Sequence, residues 1–179
     1  MPLRFEEAPS EAVKLLAEIR AHHFPQLSGA RIKLLFDIRK RQAKNRICLA
    51  RIVKPNDLVK HLTRIEAETV EGFDYIITMD KIAWENLQDD KDRTRILRHE
   101  LRHTWCDQDE ESATSPYRLQ DHTITDFYEE VDLNKDDPRW ASRCCLMVQS
   151  IYEQRAEEAK EARARQNKRQ GKLTLAARR

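Results

Sequence analysis

His99, Glu100 and His103 are the residues of this 179-residue chain whose types and spacing best suit chemistry. In His99-Glu100-Leu101-Arg102-His103 the histidines are four apart, and on a helix that spacing puts two imidazoles on one face, a turn apart, where they can share one zinc ion. Glu100 stands beside them. Zinc lowers the pKa of its bound water to about 7, and a neighbouring carboxylate can finish the deprotonation and later protonate a leaving amine. The implied chemistry is hydrolysis of a peptide bond by a zinc-bound water that Glu100 activates as general base.

A catalytic zinc takes three protein ligands and keeps one position open, so a further donor must come from outside this helix. His122, nineteen residues beyond His103, is the best placed, since the intervening loop is long enough to turn the chain back. Asp109 falls at the third-ligand position of the H-E-x-x-H-x-x-G-x-x-H pattern in its aspartate form, but Cys106 stands where that pattern has its turning glycine. Cys106 could instead share a helical face with His99 and His103 in a closed structural site, for which no fourth ligand is evident nearby. Asp121 and Asp126 are alternative acceptors for the second N–H of a ligating imidazole, and Asp126 could itself be a ligand. His22, His23 and His61 read as surface or packing residues. Tyr117, Arg118 and Tyr128 receive no catalytic role.

Positioning these groups requires an ordered frame. The stretch from Asp92 to Cys106 has neither Pro nor Gly and repeats apolar residues at Ile96, Leu97 and Leu101, which predicts a helix with one buried face. Before it, Phe73 to Asp80 carries a strong strand signal, with a turn of helix at Ile82, Trp84 and Leu87. Two further β-rich runs, Arg31 to Ile38 and Ile47 to Val53, are expected as a hairpin or as neighbouring strands. Ser10 begins a packing helix that ends near Pro25. The segment from Pro55 to Val70 is ambiguous between helix and strand. Past the polar loop from Asp107 to Pro116, a helix starting near Asp121 or Thr123 is expected to carry Ile124, Phe127 and Val131, and a last helix begins at Trp140.

The composition suits one α+β domain over residues 1–150, with 151–179 as a charged helical extension that frays into a basic tail. That extension has nine basic and four acidic residues in a chain of net charge +2. No apolar run nears the roughly 20 residues that cross a bilayer, and Met1-Pro2-Leu3-Arg4-Phe5 lacks a signal-peptide pattern, so a cytoplasmic protein without membrane contact is expected. Cys48, Cys106, Cys144 and Cys145 show no C-x-x-C spacing and read as reduced thiols.

Phe73 to Asp80, the His99 motif, and Tyr117-Arg118-Leu119-Gln120-Asp121-His122 followed by Asp126-Phe127 together resemble the phage metallopeptidase family and, more distantly, SprT-like proteases. The resemblance covers about Ala30 to Leu133. It implies a small zincin domain, minigluzincin-like, with a small β-sheet, an HExxH helix and a ligand-bearing helix, plus one catalytic Zn2+ on His99, His103 and His122 and a phage or prophage source. Two departures stand out: Asp126 replaces the more usual glutamate, and Asn134-Lys135-Asp136 replaces an expected glycine.

Three functions compete. The first is an active peptidase on protein or peptide substrates. The second is a nucleic-acid-associated module using Gln166 to Arg179, with five basic residues and no acidic one, on phosphates. The third is a zinc-stabilised partner-binding protein without turnover, in which Glu100→Gln would change little. Specificity and oligomeric state are not written in these motifs.

Overall fold

Alternating apolar residues build the centre of the sheet. Tyr75, Ile77 and Met79 are wholly buried on β6 (Tyr75–Asp80), and a strand apolar on this scale needs neighbours on both edges. The computed structural model describes residues 3–43, 46–107, 116–122 and 126–176. On one side of β6 lies β2 (Ile32–Asp37), parallel, with Ile32 opposite Tyr75 and Asp37 opposite Asp80. On the other lies β5 (Ala50–Val53), antiparallel, with Ile52 opposite Ile77. An N-terminal strand β1 (Phe5–Glu7) pairs antiparallel with β2, giving the order β1-β2-β6-β5.

The expected hairpin of the two early β-rich runs is therefore not formed, because β6 lies between β2 and β5. The link between them contains its own two-residue ribbon, β3 (Gln42–Ala43) with β4 (Arg46–Ile47), so the second run splits at Cys48 rather than pairing with the first. β1 gave no strand signal, since its three residues are all exposed and it sits at an edge. The result is α+β with a small mixed sheet.

Helices cover the sheet. α1 (Ser10–His23) buries Ala12, Leu16 and Ile19, while Val13 is exposed. The ambiguous segment is a short helix, α2 (Asp57–Leu62), capped by Asn56, whose side chain accepts from Val59 N at 2.9 Å. Gly72, at φ +69°, ends the crossing to β6 where a Cβ would come within 2.2 Å of the Lys60 carbonyl oxygen, so only glycine fits. Asp80 closes β6 and caps α3 (Lys81–Asn86) through Ala83 N, 2.9 Å. Its other oxygen accepts from the Tyr152 hydroxyl at 2.7 Å.

Tyr152 belongs to α6 (Trp140–Ala176), which packs through Trp140, Cys144 and Val148. From Glu153 to Asn167 every residue of α6 is exposed, as its charged sequence requires. The helix runs continuously through residue 150, and residues 177–179 of the basic tail lie outside the described part. Among the described residues no helix is long and apolar enough to cross a membrane.

α4 (Asp90–Arg102) holds the centre. Asp92, 3% exposed, accepts from both terminal nitrogens of Arg143 on α6, at 2.7 and 2.8 Å, and from Arg95 at 2.9 Å. Burial pushes the Asp92 carboxyl up, but the two guanidinium groups outweigh it and hold it below its ordinary value. A depressed carboxylate contributes stability above its unfolded pKa, about 3.9, and loses that contribution as pH falls through the folded value. Urea unfolding at pH 7, 5 and 3 should thus show Asp92→Asn clearly less stable than wild type at pH 7, the gap narrowing at pH 3. A gap independent of pH would deny the bridge its role.

Candidate metal centre

The metal-centre residues begin with the run of helix formers in α4. The Asp89 side chain caps it by accepting from Lys91 N at 2.8 Å, acidic Asp90 and Asp92 suit the positive end of the helix, and Ile96, Leu97 and Leu101 fix which side faces the core. The helix stops at Arg102, four residues before Cys106. Thr104–Cys106 is instead a strand, β7, paired antiparallel with β8 (Tyr117–Leu119). Gln120 explains the early end: its backbone N–H donates to the His103 carbonyl at 2.8 Å and its side-chain amide to the Arg102 carbonyl at 2.7 Å, satisfying oxygens that a further helical turn would have used. Cys106 therefore leaves the helical face of His99 and His103.

The β7–β8 ribbon brings His122 back over α4. It is anchored by the Tyr75 hydroxyl, which donates to the Arg118 carbonyl at 2.6 Å. Nε2 of His122 stands 3.0 Å from Nε2 of His99, near the roughly 3.3 Å between two nitrogens that share a tetrahedral zinc at about 2 Å each. One ring nitrogen from each of His99, His103 and His122 lies within 4.8 Å of the others, and this is the metal-capable group found among the described residues. His103 directs Nδ1 at the Gln120 carbonyl, 2.9 Å away. A carbonyl only accepts, so Nδ1 carries the proton and Nε2 keeps its lone pair for a metal.

Asp126 resolves the choice of acceptor left open by sequence: its Oδ1 is 2.9 Å from His99 Nδ1. The contact is close enough for charge pairing with a nitrogen that is otherwise buried. Burial pushes the His99 imidazolium down, but Asp126 and Glu100 outweigh it, so His99 lies above its ordinary value. Burial likewise pushes the Asp126 carboxyl up and His99 pulls it further down, to a net lowering. His122 is lowered by burial and by its two imidazole neighbours, which favours the neutral, metal-binding form. Phe127, fully buried, sets its ring 4.9 Å from that of His103 and 5.0 Å from that of His122, forming an apolar floor.

Glu100 turns to the sheet, where Oε2 accepts from the Ile52 N–H of edge strand β5 at 2.8 Å. Burial raises its carboxyl, an effect His99 and His103 only partly oppose. A cleft of about 390 Å³ opens here, walled by Ala50 to Ile52 on one side and Leu119 to His122 on the other, with His99, Glu100 and His103 at its base.

The remaining expectations sort by place. The helix expected to follow begins later, as α5 (Tyr128–Leu133), so His122 precedes it outside any helix or strand; 123–125 and Asp109 lie outside the described residues. His22 and His23 stack edge-to-face at the end of α1, and His61 is exposed on α2. Tyr117 packs on Tyr75, and Tyr128 is exposed. Gln120, Ile52 and Phe127 are site residues that sequence reasoning missed. Two of them act through backbone groups, which carry no side-chain signature, and Phe127 is indistinguishable from an ordinary core aromatic.

Elemental analysis after mild dialysis should find about one metal ion per chain in wild type and markedly less in His122→Ala, with Asp126→Asn binding roughly tenfold more weakly. Metal-free wild type, or full retention in His122→Ala, would overturn this site.

No curated protein and no solved structure matches the chain. The model of the family described as Putative phage metallopeptidase matches residues 3–160, a span that holds every residue of the centre, and the chain belongs to this phage metallopeptidase family.

Proposed function

We propose that this protein is a zinc-dependent peptidase of the small zincin type, with His99, His103 and His122 as metal ligands and Glu100 as general base. The observation that carries the reading is the convergence of three imidazole nitrogens at the base of an open cleft, beside a buried carboxylate. An all-imidazole donor set suits zinc, and three ligands leave the open position that catalysis needs. When bound, the ion supplies a Lewis acid that polarises a carbonyl and makes water nucleophilic near neutral pH.

The chain's own groups do the rest. Glu100 takes a proton from water as the water oxygen attacks the carbonyl carbon, and returns a proton to the amide nitrogen as the C–N bond breaks. Its carboxylate lies beside the histidines at the base of the cleft, where a general base must stand. Ile52 N–H holds that side chain against the sheet, and the acceptor Gln120 holds His103 in the right tautomer. The outer edge of β5 borders the cleft, and an open strand edge is where an extended peptide adds by backbone hydrogen bonds. A protein or peptide substrate follows from that shape. The phage family and four cysteines that form no disulfide support a phage or prophage enzyme working in the host cytoplasm.

Metal-loaded wild type should cleave a denatured-protein or peptide-library substrate, and Glu100→Gln should lose at least about 100-fold in rate while retaining its metal. Equal rates for the two would remove Glu100 from the chemistry; loss of the metal along with activity would make Glu100 structural.

A further inference from the structure

Beside the histidines, on a neighbouring face of α4, lies a second constellation. Arg98 and Arg102 are one turn apart, each the residue immediately before a histidine of the cradle. Both reach Glu130 of α5, which is 0% exposed. Arg98 Nε lies 2.8 and 3.0 Å from the two carboxylate oxygens, and Arg102 Nε is 3.2 Å from one of them. Asn134, which caps the C-terminal end of α5, accepts from Arg98 Nη2 at 2.7 Å.

α5 has six residues, too few to be stable as an isolated helix. Its position rests on what it binds. A buried carboxylate is costly unless fully paired, and one held by two guanidinium groups from successive turns of α4 has little room to slide. Three and four residues before Glu130 stand Phe127 and Asp126, the floor of the cradle and the acceptor beside His99. We propose that Glu130 is a positioning residue of the metal centre: clamped by Arg98 and Arg102, it sets α5 so that Asp126 meets His99 and Phe127 backs the three imidazoles. The inference rests on the metal-site reading above. It assigns to a residue that touches neither metal nor substrate a share of the site's affinity.

The test is a double-mutant cycle on metal affinity, by chelator competition with zinc, on wild type, Glu130→Gln, Asp126→Asn and the double variant. The visible spectrum of each cobalt(II)-loaded protein reports ligand geometry directly. Each single variant is expected to bind about tenfold more weakly, the double no more weakly than Asp126→Asn alone, and Glu130→Gln to alter the cobalt spectrum. Two further variants separate positioning from general loss of stability. Glu130→Asp keeps the charge on a shorter arm and should show the same loss if Glu130→Gln does not fold. Arg143→Met breaks the bridge to Asp92 elsewhere on α4 and should lower Tm with zinc affinity unchanged.

Unchanged affinity in the Glu130 variants, additive losses in the cycle, or an equal loss in Arg143→Met would overturn the proposal. Wild type that binds no metal would instead fail the metal-site reading itself, so the two failures are told apart by the first protein measured.

Discussion

Helix α4 is buried along much of its length while being strongly polar, and the surrounding structure answers that constraint. Of its seven buried residues, Asp92, Arg95, Arg98 and Glu100 are ionisable. A charged group taken out of water must be paired or it destabilises the fold by several kcal/mol, so these groups draw partners from three other elements. Arg143 comes from α6, Glu130 and Asn134 from α5, and the Ile52 amide from β5. The two histidines then face the side where a cleft remains. What looks like a charged helix surface is a hub whose pairings fix the relative placement of three other elements.

That hub also explains what could and could not be read from residues alone. α4, its histidines and the return of His122 are legible because they follow local rules: helical spacing, absence of breakers and a loop of sufficient length. The core strand Tyr75–Asp80 is legible from its alternation. Arg95, Arg98 and Arg102 are not, since a buried charged face and a solvated one have the same spacing, and only the partner some thirty residues away, Glu130 to Arg98, decides between them. The pairing of β5 with β6 rather than β2 was hidden for a related reason. A run of apolar residues declares a strand but not its neighbour, and the most buried strand takes the centre. The end of α4 at Arg102 depended on Gln120, whose capping bonds cross the β7–β8 ribbon.

The functional side of the molecule divides its labour between backbone and side chains. Imidazoles and a carboxylate line the base of the cleft, while the groups that orient them include a carbonyl at Gln120 and an amide at Ile52. Backbone donors and acceptors cannot rotate away, which gives fixed directions to His103 and Glu100 at little conformational cost. Asp126 is the exception, a side chain 2.9 Å from His99 Nδ1 on the stretch that leads into α5.

The three imidazoles and Asp126 fall within a 28-residue stretch, 99–126, whereas the amide that seats Glu100 comes from 48 residues earlier in the chain. The three imidazoles and the seat of Glu100 thus draw on different parts of the chain. A change confined to strand β5 can therefore unseat Glu100 while the three imidazoles stay together.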